Sequence, residues 1–296
     1  MKPDIDIDLN ADGEATLALN SLHGAAVRSA PFAHVVLDQF LSAPAYQRLQ
    51  GAFAALRARG LSEQFVTDRL ARFPGYDAYC WVIGRQAPPA LALFLDPRLR
   101  DHCQRLFDLP LGDEMVAEFH HHLPGSRSDA WHDDYNLAYF SSPPGVGAGM
   151  RPWHFECNYM DGGMAGGAAT VQRCRAVTLI YYFGADGWQD GMGGETELGC
   201  EAQGQVSTVE RIAPLANRLL AFACSPSSYH RFMSNHGFDR NSLILWYHGQ
   251  AQDAARRHGH GPRGWSGGDI AGGARDADGL PVDHFVQPGT LAEGWP

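Results

Sequence analysis

The chain has 296 residues, 45% hydrophobic and 19% charged, a balance that fits a globular protein and excludes a disordered one. That length leaves room for one large domain or two, and an all-β barrel often runs this long as one. The net charge of −10 argues against a nucleic-acid surface and gives no electrostatic reason to sit on anionic lipid.

Residues 1–30 show little periodicity and read as a lead-in. Pro31 to Asp38 reads as a short strand. Ser42-Ala43-Pro44 has the form of a capped helix start, and Tyr46, Leu49, Phe53 and Leu56 follow at helical spacing, with Gly60 as the stop. A second helical pattern follows Pro88-Pro89, and Asp96-Pro97 is expected to split it. Residues 31–112 are thus expected to be helical support. From Met115 the character changes to strands. Met115–His121 is β-like and Pro124-Gly125 turns. Ala176–Phe183 is nearly continuous in apolar residues, the pattern of a strand buried on both faces. Leu219–Ala223 and Ser242–Tyr247 are similar. Residues 141–170 are rich in Gly and Pro, with no clean period, yet hold Trp153, His154, Phe155, Tyr159 and Met160. Residues 251–296 read as a tail on the surface. A helical front followed by short strands predicts an α+β fold whose β part, 113–250, is a double-sheet jelly roll.

Six cysteines include no Cys-x-x-Cys pair, and their spacing suggests no zinc site. The start of the chain carries no apolar leader, and no apolar run approaches the roughly 20 residues that span a bilayer. A cytoplasmic protein with reduced thiols and no membrane or nucleic-acid partner is the expectation.

The chemistry lies in three places: His132-Asp133-Asp134, then His230, then Arg240 ten residues later. Side chains two apart on an extended strand share a face, which predicts His132 and Asp134 together and Asp133 pointing away. Two imidazoles and a carboxylate can hold iron(II) on one face and leave positions open for O2 chemistry. The Arg240 guanidinium suits a bidentate clamp on a co-substrate carboxylate, and Ser242 shares its face by parity. A competing pair, His154-Phe155-Glu156, can also ligate a metal.

Over residues 31–250 the chain resembles the iron(II)/2-oxoglutarate-dependent dioxygenases, in particular their prolyl 4-hydroxylase-like branch. Phe119-His120-His121-His122-Leu123-Pro124-Gly125 resembles the segment leading to that branch's first iron ligand. Arg175-Ala176-Val177-Thr178-Leu179-Ile180-Tyr181-Tyr182 resembles its next core strand, and Gly193-Gly194-Glu195-Thr196 its Gly-Gly-Glu turn. Arg240-Asn241-Ser242-Leu243-Ile244-Leu245-Trp246-Tyr247 resembles the strand bearing the co-substrate arginine. The resemblance implies a double-stranded β-helix with N-terminal helices packed on it. It implies iron(II) on His132, Asp134 and His230, and 2-oxoglutarate held by Arg240 with help from Ser242 and Tyr182. O2 would be the oxidant, and the reaction hydroxylation of an unactivated C–H bond. Asp134 favours hydroxylation over halogenation, because related halogenases lack the carboxylate.

Many relatives run almost directly from the His-x-Asp segment into the next core strand. Here residues 135–172 intervene and read as an insertion. Trp131, Asn136, Trp153, His154 and Tyr159 are candidates to line a substrate pocket. A long aromatic insertion suits closure over a small molecule or free amino acid; a peptidyl prolyl substrate is the alternative. A non-catalytic metal-binding barrel and a zinc hydrolase on the same barrel are further readings. His120 and His122 share a strand face and read as support near the site or as plain exposure.

Overall fold

The two helix starts form as their caps dictate. In the computed structural model, which describes residues 22, 24–72, 77–84, 87–141, 149–163 and 169–264, strand β1 (His34–Leu37) leads into helix α1 (Ala43–Arg57). The Ser42 hydroxyl accepts from the Ala45 amide at 3.3 Å, and Pro44 occupies the first turn, where no amide is needed. Leu49, Phe53 and Leu56 are the buried stripe of α1. Asp96 separates a 3-10 turn (Pro89–Leu95) from helix α2 (Pro97–Phe107), and its carboxylate accepts from the Arg98 amide at 2.8 Å. Between the helices lie three short strands, β2 (Leu61–Ser62), β3 (Leu70–Arg72) and β4 (Tyr79–Val82). The helical support expected over 31–112 thus also carries short strands beyond the one read at 31–38: the Tyr79-Cys80-Trp81-Val82 run is short, but it pairs with a long strand and is held by it.

The strands that follow are β5 (Glu114–His122), β6 (Leu137–Ser141), β7 (Arg151–Pro152), β8 (Thr170–Phe183), β9 (Thr196–Ala202), β10 (Gln205–Ile212), β11 (Arg218–Ala223), β12 (His230–Phe232) and β13 (Arg240–Gly249). The larger sheet has the order β1-β11-β8-β13-β5-β4-β3-β2, and the smaller β10-β9-β12. β6 pairs with the start of β8, so the segment read as an irregular insertion contributes a strand of its own. Helix α3 (Ala251–His258) follows β13, where a tail was expected, and Arg263 bonds back to the Tyr135 carbonyl. The rest of that tail, 265–296, and most of the lead-in lie outside the described residues.

β8 sits between β11 and β13, which explains its unbroken apolar sequence. Its odd-numbered residues Val177, Leu179, Tyr181 and Phe183 face a core shared with the helices, where Phe53 meets Phe119 at 5.2 Å and Phe183 at 4.9 Å. Its even-numbered residues Ile180 and Tyr182 face a second core that reaches Leu198 and Ile212 of the smaller sheet. Burying each such side chain stabilises the fold by roughly 1.5–3 kcal/mol. The two sheets thus enclose a double-stranded β-helix with the helices packed on its outer face. Among the described residues no helix is long and apolar enough to cross a membrane, and all six cysteines carry free thiols.

Candidate metal centre

His132 and His230 are joined by a mutual pair of backbone hydrogen bonds, His132 N–H to His230 O at 3.1 Å and His230 N–H to His132 O at 2.8 Å. Such a pair puts both side chains on one side, and the rings lie 4.2 Å apart. Each imidazole sits the same way. Nδ1 of His132 lies 3.0 Å from the Ala130 carbonyl, and Nδ1 of His230 lies 2.9 Å from the Ser228 carbonyl. A carbonyl only accepts, so Nδ1 carries the hydrogen and Nε2 presents its lone pair, the tautomer a metal requires.

The third donor arrives differently from expectation. Asp134 does not continue an extended strand; its φ is +57°, in the left-handed region. The turn nevertheless brings its carboxylate to 3.9 Å from His132 Nε2 and 3.6 Å from His230 Nε2. One donor atom from each of the three residues lies within 4.8 Å of the others, and they form the only such group among the described residues. Asp133 points away as expected, accepting from the Tyr135 amide and pairing with Arg263.

Asp134 is 3% exposed and fully engaged. Oδ1 accepts from Arg175 at 2.8 Å, and Oδ2 accepts from Thr178 at 2.9 Å and from the Trp246 indole at 2.7 Å. Burial alone would raise this carboxyl, but the Arg175 charge beside it outweighs burial and holds it well below the ordinary carboxylate range. Arg175 reaches it through an irregularity. The β8–β13 register pairs Val177 with Tyr247 but Arg175 with His248, leaving Ala176 as a bulge that turns Arg175 inward. Behind Arg175, Tyr159 of the insertion accepts from its Nε at 3.0 Å and lies 2.6 Å from His248 Nε2. Burial, reinforced by the Arg175 charge, pushes His248 down to about 3, so its ring is neutral. Its Nδ1–H donates to the Glu114 carbonyl, and its Nε2 accepts from the Tyr159 hydroxyl.

Arg240 lies in a separate pocket, 2% exposed. Its guanidinium donates to Ser242 Oγ at 3.0 Å, to Thr196 Oγ1 at 3.3 Å and to the Gly194 carbonyl at 3.3 Å. Tyr182 and Phe232 flank it, with ring centroids 5.1 and 5.0 Å from its central carbon. Tyr182 donates its own hydroxyl to Thr196. Gly194 must be glycine: its φ is +80°, and a Cβ there would meet Phe238 at 2.8 Å. Among the described residues no carboxylate pairs with Arg240, so a buried cation stands without a protein counter-ion. That is the electrostatic signature of a site for an external anion.

The other candidates divide. Trp153 and Tyr159 pack against the core between the sheets, and Trp153 donates to the Cys157 carbonyl. Trp131 does not face the interior. It lies under Arg231, with the guanidinium carbon 4.4 Å from its ring, on the outer side of the smaller sheet, because it alternates with the inward His132. His154 is exposed and rests beside Gly84, and the Glu156 carboxylate accepts the His154 amide, so this pair is not part of the donor cluster. Asn136 serves through its backbone, donating to the Asp134 carbonyl and accepting from Arg175. His120 and His122 are buried on the inner face. Arg175, Thr178, Trp246 and Thr196 escaped sequence reasoning. Strand parity with Tyr182 and Arg240 would have found Thr178 and Trp246.

Residues 118–248 match the model of the 2OG-Fe(II) oxygenase superfamily. No curated protein matches the chain. Among solved structures, a Pseudomonas putida prolyl-4-hydroxylase superposes with a TM-score of 0.48 at 18% identity, covering 79% of this chain and 97% of that one. A Trichoplax adhaerens prolyl hydroxylase, solved with a hypoxia inducible factor oxygen degradation domain peptide, gives 0.44 at 15%, covering 79% and 88%. SnoK, a non-heme alpha ketoglutarate dependent carbocyclase from nogalamycin biosynthesis, gives 0.44 at 12%, covering 84% and 92%.

Proposed function

We propose that the chain, whose residues 118–248 match the 2OG-Fe(II) oxygenase superfamily model, uses iron(II), 2-oxoglutarate and O2 to hydroxylate an unactivated C–H bond of a small molecule or free amino acid. The observation that carries the reading is the meeting of His132, Asp134 and His230, together with a buried Arg240 that has no protein counter-ion among the described residues. Two nitrogens and one oxygen suit ferrous iron and leave the rest of its coordination shell open. In this reading His132, Asp134 and His230 hold the iron, and Arg240, with Ser242 and Tyr182, takes the distal carboxylate of 2-oxoglutarate.

Iron(II) when bound supplies the O2 chemistry that couples 2-oxoglutarate decarboxylation to substrate oxidation. One oxygen atom enters succinate and the other converts R–H to R–OH, with carbon dioxide released. The protein's share is positional. The Ala130 and Ser228 carbonyls fix both ligand tautomers. Arg175, Thr178 and Trp246 keep Asp134 ionised and aimed. Ser242 and Thr196 orient the guanidinium fork. Trp153 and Tyr159, carried by the insertion, cover the core between the sheets and favour a small substrate over an open peptide groove. Supplied with iron(II), 2-oxoglutarate and O2, the enzyme is expected to form succinate, and His132→Ala and His230→Ala to abolish it. Succinate formation surviving in both variants contradicts the site.

A further inference from the structure

On the face that β5 turns to the core between the sheets, Glu118 is a carboxylate that neither the metal centre nor the Arg240 pocket uses. Glu118 lies on β5, on the same face as Val116, which belongs to the core between the sheets. Its register partners are Ile244 on one side and Val82 on the other. Ile244 stands on β13 between Arg240, the proposed clamp, and Trp246, whose indole touches Asp134. Neighbouring strands are about 4.8 Å apart. Glu118 therefore stands one strand to the side of the line joining the co-substrate pocket to the metal ligands.

One of its oxygens, Oε1, is 2.7 Å from His120 Nε2, so the imidazole donates and fixes the carboxylate. His120 itself pairs with Ser242 and lies 6.3 Å from the Trp246 ring. The second oxygen, Oε2, makes no hydrogen bond among the described residues, although the side chain is only 16% exposed. Val82, Val116 and Ile244 are its neighbours on the same face, across and along the strands. Tyr159 of the insertion is near enough for the Glu118 charge to act on its phenol. The partly exposed carboxylate leaves Oε2 open to an arriving cation, which would gain a charge-assisted hydrogen bond there.

We propose that Glu118, oriented by His120, receives a cationic nitrogen of the substrate, so that the substrate class is a free amino acid or aliphatic amine whose hydrocarbon lies against Ile244 and Trp246. This rests on the oxygenase reading above and adds the recognition element to it. A neutral peptidyl proline offers nothing for this carboxylate.

The test compares probes that differ only in the charged nitrogen. Wild-type enzyme with iron(II), 2-oxoglutarate and O2 is assayed for succinate with the twenty free L-amino acids and 1,4-diaminobutane. Each responsive probe is then set against its deaminated carbon skeleton, such as 4-methylpentanoate for L-leucine. At least one amine is expected to stimulate succinate formation and gain one oxygen in mass, with its deaminated counterpart inert. Glu118→Gln is expected to raise the KM of that amine about 30- to 100-fold with a smaller change in kcat, and Glu118→Asp to recover part of the loss. The proposal is overturned if no amine stimulates, if the deaminated skeleton serves equally, or if Glu118→Gln leaves KM unchanged. The wild-type comparison needs no variant to fold. Succinate formed from 2-oxoglutarate without amine preference overturns the role of Glu118 alone. Absence of the iron–keto acid absorption in wild-type enzyme removes the oxygenase reading, and this proposal with it.

Discussion

The two halves of the site are built on opposite principles. The Arg240 pocket stands on the long regular strands β8 and β13, where Ser242 pairs with Tyr182 in an unbroken register. The proposed metal ligands stand on short pieces: an isolated bridge at His132, a left-handed residue at Asp134 and the three-residue strand β12. A long strand in a central position aims its side chains by parity alone. A short edge segment needs hydrogen bonds from elsewhere, and here these come from Arg175, Thr178 and Trp246 on the larger sheet. The proposed co-substrate pocket is thus held by backbone, and the proposed metal centre by side chains borrowed from its neighbour.

The sharpest way to break this contrast is Arg240→Met. Deleting one partner of a buried charge contact costs several kcal/mol, so 2-oxoglutarate affinity is expected to fall about 100-fold or more. Iron affinity, measured by titration without the keto acid, is expected to stay near wild type. A parallel loss of metal would show that the halves are not independent. Arg175→Met should do the reverse, weakening iron about 10- to 100-fold, the usual range for a residue that orients a ligand. It also makes iron binding depend on pH. With Arg175 present, the Asp134 carboxyl is held well below its ordinary value and stays ionised through the mildly acidic range. Without Arg175, burial raises the carboxyl, so affinity is expected to fall as pH drops through that range. A pH-independent affinity in this variant would remove Arg175 from the account. Thr178→Val, which deletes one of three donors to Asp134, is expected to change iron affinity by less than about 10-fold. An effect matching that of Arg175→Met would mean that geometry, not charge, supports the ligand.

The same contrast explains what was legible in the sequence. β8 and β13 were readable because their residues are apolar or aligned by a period of two, and the clamp residues followed from that period. The helix starts were readable from Ser42 and Asp96. His132, Asp134 and His230 were visible as residue types, but the reason offered for Asp134 was wrong, since the chain turns there instead of running straight. In the sequence Arg175 shows only as the polar start of an apolar strand. By simple alternation with Thr178 it belongs on the opposite face, and only the bulge at Ala176 turns it inward. Trp131 fails for the complementary reason. Proximity in sequence to a ligand guarantees the opposite face when the backbone stays extended. A bulge or a left-handed residue is a tertiary outcome, fixed by hydrogen bonds to distant strands, and carries no local signature.

The most direct test of the central claim is the visible charge-transfer absorption of iron(II) bound to 2-oxoglutarate, recorded anaerobically on the reconstituted protein. The account predicts the band in wild type and its loss in His132→Ala and His230→Ala. A wild-type protein that binds both components without the band, or a band undiminished in those two variants, would contradict it.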